Sequence, residues 1–125
     1  MPDPTGRITR LRSATADTAS GHRTPLRHEM PAVDEAGLAA ARAADRLLAA
    51  ARVAGADRWI AYFEPLADRL RDDEPRGLRQ AALRARAAYG PKDSVRDVLP
   101  DDVTRPLLDA VDRLLKQLNR RDVGG

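Results

Sequence analysis

Apolar residues return every three to four positions along most of the chain, and glycines, prolines and polar clusters divide that pattern into four segments. Such spacing gathers apolar side chains on one face of an α-helix, so each segment is read as amphipathic. The first spans residues 34–54: Leu38, Ala41, Ala44, Leu47, Leu48 and Ala51 share a stripe, while Arg42, Asp45, Arg46 and Arg52 fall largely away from it. Asp34 is placed as its N-cap and Gly55 as its left-handed stop. The second begins at Asp57 and carries Trp59, Phe63, Leu66 and Leu70 at helical spacing. Pro65 lies inside it and has no N–H to donate, so a kink or a break into two short helices is expected there. This stretch holds three of the four aromatic residues and is expected to centre the core, because each such ring buries far more apolar area than an alanine.

The third segment, residues 75–88, opens on Pro75, which suits a first helical turn, and presents Leu78, Ala81, Ala82, Ala85, Ala88 and Tyr89. Its arginines Arg76, Arg79, Arg84 and Arg86 are spread around the axis, as on a solvated face. Gly90-Pro91 ends it. Before Pro100, Asp93 and Ser94 are read as capping a short helical turn, with Val95, Val98 and Leu99 tucked under the bundle. The last helix is capped by Thr104 or Asp102, has Pro106 in its first turn, and shows a seam of Leu107, Leu108, Val111, Leu114, Leu115 and Leu118. Two heptads are too few to argue for a coiled coil, so the seam is assigned to packing within the chain. The fold class is all-α: a small bundle of three to four helices over residues 32–121, with residues 122–125 as a frayed end.

Residues 1–31 show no sustained period and carry Pro2, Pro4, Gly6, Gly21, Pro25 and Pro31, so they are read as a flexible basic tail. The tail holds Arg7, Arg10, Arg12, Arg23 and Arg27 and both histidines, His22 and His28. No apolar core follows its arginines, as a secretory signal requires, and no apolar run approaches the roughly 20 residues of a membrane span. A cytoplasmic protein without a membrane partner is therefore expected.

Composition narrows the chemistry. The 125 residues suit one domain, and 22 basic against 19 acidic residues leave a net charge of only +3, which is not by itself a nucleic-acid signature. The absence of cysteine excludes disulfides, thiolate metal sites and thiol catalysis. No histidine falls in the expected bundle to serve as a base or zinc ligand, and the glycines form no phosphate-binding loop. The acidic runs at Asp72-Asp73-Glu74 and Asp101-Asp102 precede helix starts beside prolines, where capping accounts for them. No cofactor or metal is expected, and the chain is read as a non-enzyme. A small enzyme built on Asp93 and Asp97 is the weakest of three alternatives, because two carboxylates without a pocket make a poor acid–base pair.

Around "RAAYGPKDSVRDVL" the chain resembles an uncharacterised family of small bacterial helical proteins. That family has a tryptophan-bearing helix, a helix ending in an aromatic-Gly-Gly-Met-Gly-Ser loop, an Asn-Asp-hydrophobic turn and a leucine-rich last helix. Trp59 matches the tryptophan, Tyr89-Gly90 the aromatic-glycine, Ser94 the loop serine and Asp97-Val98-Leu99 the acidic turn, over residues 43–118. Pro91-Lys92-Asp93 stands where the family shows Gly-Met-Gly, and Arg96 where it shows Asn. The resemblance implies a small accessory protein, of the kind that neutralises a toxin or adapts one protein to another.

The primary functional expectation is thus a non-catalytic module that binds another protein, with Lys92, Asp93, Ser94, Arg96 and Asp97 as its contacts. Asp97 has a second reading, as an acceptor for loop amides. The alternative is nucleic-acid association through Arg7, Arg10, Arg12, Arg23 and Arg27 with the arginines of the third helix. Either a monomer or a homodimer is compatible with the leucine seam.

Overall fold

The structure, a computed structural model, describes residues 25–124, with side chains as far as Arg120. Four helices succeed one another: α1 (Pro31–Ala54), α2 (Asp57–Asp72), α3 (Pro75–Ala87) and α4 (Asp101–Gly124). Short 3₁₀ turns lie at Arg27–Glu29 and Val95–Asp97, and no strand occurs among the described residues. The fold is a small all-α bundle.

Side-chain links between helices set their register. Arg52 pairs with Glu64 at 3.1 Å and, two turns nearer the start of α1, Asp45 pairs with Arg71 at 2.7 Å. The Tyr62 hydroxyl donates to the Arg84 carbonyl at 2.6 Å, and Arg69 to the Gly77 carbonyl at 3.1 Å. Arg79 donates to Asn119 at 2.6 Å, and Arg86 pairs with Asp112. In each set the number rises on one helix as it falls on the next, so consecutive helices are antiparallel. The result is an up-down-up-down bundle in which α1 packs on α2 and α4, and α3 packs on the same two helices.

Alanines decide how these helices approach. The buried face of α1 is Val33, Ala36, Ala40, Ala41, Ala43, Ala44, Leu47, Leu48 and Ala51, broad enough to serve two neighbours. Bulk comes from the other helices: Trp59, Phe63, Leu66 and Leu70 from α2, Leu78 from α3, and Leu107, Val111, Leu114 and Leu118 from α4. Large side chains thus fill the space that small ones leave, as close packing requires. Trp59 and Tyr62 meet edge-on with ring centroids 5.4 Å apart, and Phe63 lies 6.1 Å from Trp59.

Several local expectations change. α1 starts at Pro31, a position where the missing N–H has no helical partner to lose, so Asp34 lies in the first turn rather than at the cap. α2 runs unbroken through Pro65, with packing on α1 and α3 holding both halves in one helix. α4 starts at Asp101, which puts Pro106 beyond the first turn. Thr104 is no cap; it is fully buried, and its hydroxyl donates to the Pro100 carbonyl at 3.2 Å. The leucine seam splits, because Leu107, Val111, Leu114 and Leu118 face inward while Leu108 and Leu115 sit half-buried at its edge.

The largest revision concerns Arg27, which was expected in the tail and is a buried member of the bundle. Its Nε donates to Asp34 Oδ1 at 2.7 Å and its Nη1 to the Asp73 carbonyl at 3.1 Å, while its backbone N–H donates to Glu74 Oε1 at 2.7 Å. A guanidinium presents donors in a fixed fork, and here the fork joins the start of α1 to the turn between α2 and α3. Gly37 makes the room: a Cβ there would lie 2.6 Å from Arg27 Nη2. Met30 is buried as well, so the packed structure begins ahead of residue 32. Arg7, Arg10, Arg12 and Arg23 lie outside the described residues.

Candidate functional site

The connection between α3 and α4 is the longest in the described chain, and it is tightly held. Tyr89 starts it, with its hydroxyl donating to the Thr104 carbonyl at 2.5 Å. Val95 N–H donates to the Ala88 carbonyl at 2.9 Å, which closes the intervening residues into a compact loop. Asp93 sits at φ 53°, a left-handed conformation that Asp tolerates better than most residues.

Ser94 and Asp97 then form a reciprocal cap on the 3₁₀ turn. Arg96 N–H donates to Ser94 Oγ at 3.1 Å, and Ser94 N–H donates to Asp97 Oδ2 at 3.2 Å. Val98 and Leu99 N–H both donate to the Val95 carbonyl, at 3.2 and 3.0 Å. Val95 and Leu99 are buried and anchor the turn from below.

Of the five residues expected to touch a partner, Ser94 is buried, and Ser94 and Asp97 both hold the loop's own amides. Lys92, Asp93 and Arg96 are exposed on the same loop. Val98 was expected to tuck under the bundle and instead stands 55% exposed. Val95 and Leu99 are buried while Val98 follows exposed Arg96 and Asp97, and periodicity alone does not tell which of the three apolar side chains faces out. Arg96 lies 4.0 Å from Asp101, which also pairs with Arg105 at 3.6 Å. Together with Leu108 these three frame a crevice of about 20 Å³, room for one water and not for a substrate.

No protein family, curated protein or solved structure matches this chain.

Elsewhere the charged groups are mostly engaged within the bundle. On α3, Arg79 and Arg86 bind α4, and Arg84 lies 4.7 Å above the Tyr62 ring, leaving Arg76 exposed. No group of three or more His, Asp or Glu is placed to hold a metal among the described residues. No helix among them is long and apolar enough to cross a membrane.

Proposed function

We propose that this chain is a non-catalytic helical interaction module that binds another protein through the loop between α3 and α4, as an immunity or adaptor-type accessory protein does. The observation that carries the reading is the combination of a rigid loop with an outward apolar side chain. The Ser94–Asp97 cap and buried Val95 hold the loop in one shape, and Val98 stands exposed on it, as do Lys92, Asp93 and Arg96. A pre-organised loop loses little entropy on binding, and protein interfaces combine apolar contacts with polar ones at the rim.

The test is capture of an interacting protein from the native host, with wild type beside a Val98→Asp, Arg96→Glu double variant. Loss of about 2 kcal/mol at an interface hot spot is roughly a 30-fold loss of affinity, so the variant is expected to release the captured protein while its melting temperature holds. Equal capture by both proteins excludes the loop as the contact. Retention of nucleic acid that weakens steeply with salt replaces this reading with the nucleic-acid one.

A further inference from the structure

Polar side-chain links join α1 to α2, α2 to α3 and α3 to α4. Among the described side chains, α1 and α4 pack together without a hydrogen bond or an ion pair between them. Asp45 and Arg52 mark the α2 side of α1, and Asp112 and Asn119 mark the α3 side of α4. The opposite flanks therefore border the α1–α4 seam. They carry Arg42, Arg46 and Val53 on one helix and Val103, Ala110 and Arg113 on the other, at helical spacing.

Because the two helices run antiparallel, this seam has two halves. At the loop end lie Val53, which is 91% exposed, and half-buried Val103 and Ala110. Further along lie Arg42 and Arg113, each about 18 Å along its helix from that end. Arg42, Arg46 and Arg113 are exposed and make no ion pair or hydrogen bond among the described residues. The neighbouring carboxylates are engaged elsewhere: Asp45 pairs with Arg71, Asp112 pairs with Arg86, and Asp109 lies close enough to Tyr89 to raise its phenol.

An apolar strip that runs into unpaired cations fits one kind of occupant. Protein interfaces set apolar groups at the centre and charges at the rim, and a helix laid in a groove is held by anchors at helical spacing. A second copy is a poor match, because two-fold symmetry sets arginine against arginine or arginine against the apolar strip. The four arginines ahead of Pro25 are repelled in the same way. Duplex nucleic acid satisfies the cations and leaves the apolar half without a counterpart.

We propose that the α1–α4 seam is the docking site for an amphipathic helix of a partner protein, apolar along one face and flanked by Asp and Glu. The apolar face covers Val53, Val103 and Ala110, and the carboxylates meet Arg42, Arg46 and Arg113. This docking site rests on the reading of the chain as a protein-binding module. It extends the contact onto the helices from Val98, which stands at the same end of the bundle.

A photoreactive benzophenone side chain placed at position 53, and separately at position 98, of the full-length chain tests the two surfaces in extract of the native host. Illumination at position 53 is expected to join a protein segment that has apolar residues at helical spacing and an excess of Asp and Glu. Arg46→Glu with Arg113→Glu is expected to cut that yield at least about tenfold, since like charges then face each other. The circular dichroism is expected to hold, because neither arginine is bonded within the bundle. Cross-linking from position 98 alone overturns the seam and leaves the loop reading in place. Cross-linking from position 53 alone, to such a segment, supports the seam and overturns the loop. At position 53, a basic or non-periodic segment, nucleic acid, a second copy, or a yield that the charge reversals leave unchanged overturns the seam. No cross-link at either position overturns both.

Discussion

Tyr89 couples the loop to α4 through a hydroxyl that donates to the Thr104 carbonyl at 2.5 Å. Burial pushes its phenol well above the usual tyrosine range; Arg96 opposes the shift and Asp109 adds to it. Above pH of about 10, an unfolded chain has lost the phenolic proton while the folded one retains it, so stability falls as pH rises through that window. Urea unfolding from about pH 9 to 11 is expected to show a steeper loss for wild type than for Tyr89→Phe. Parallel curves would mean that burial does not hold the proton. Gly37 makes a second prediction. Alanine gains about 1 kcal/mol over glycine inside a helix, yet here its Cβ meets the Arg27 guanidinium. Gly37→Ala is therefore expected to destabilise wild type, and to cost less in an Arg27→Ala background, where only the Leu70 carbonyl at 3.2 Å still crowds the Cβ. Stabilisation in both would show that Arg27 is not seated as described.

Among the elements, α3 has the least apolar support, since its buried face is Pro75, Leu78, Ala81, Ala82 and Ala85. Its arginines compensate by reaching α4 and the Tyr62 ring, and contacts of that exposed kind contribute less than a buried side chain. Native-state hydrogen exchange is expected to give lower protection at Ala82 and Ala85 than at Ala44 and Leu47 of α1. The reverse order would mean that α3 opens only with the whole bundle. In the loop, Ser94→Ala removes half of the reciprocal cap at an expected cost of about 1 kcal/mol. Faster exchange at Arg96, with helix content unchanged, is the expected sign; an unchanged rate would place the loop's rigidity in Val95 and Leu99 alone.

The bundle as a whole depends on pairing bulky side chains with small ones. Phe63 is fully buried among helices whose contact faces are largely alanine, and Phe63→Ala is expected to cost about 3–5 kcal/mol. Ala44→Leu tests the opposite side of the same fit, with overpacking expected to cost about 1–3 kcal/mol in thermal unfolding. If either change is tolerated without loss, the helices are not packed closely enough to set one another's positions. The antiparallel order also separates the loop from the Arg27 clasp. The loop and exposed Val98 lie at the end where α1 finishes and α2 starts, whereas Arg27 clasps the other end, where α1 begins and α2 finishes.

What the amino-acid sequence determined by itself is the set of helices and most of their inward faces. The repeat that places Trp59, Phe63, Leu66 and Leu70 on one side, and the stops at Gly55 and Gly90-Pro91, act over a few residues and need no distant partner. The loop residues were legible for the same reason, with Val95 and Leu99 inward, Ser94 as a cap and Asp97 as an acceptor for loop amides. Only the packed structure left Val98 outside. It likewise chose between Leu107 and Leu108 on α4, which share one apolar run. Arg27 is the clearest case. Its neighbours in the chain are those of a solvated leader, while the groups that bury it, Asp73 and Glu74, lie 46 and 47 residues away. A charged side chain is stable inside only where partners meet it, and that meeting is made by the tertiary structure.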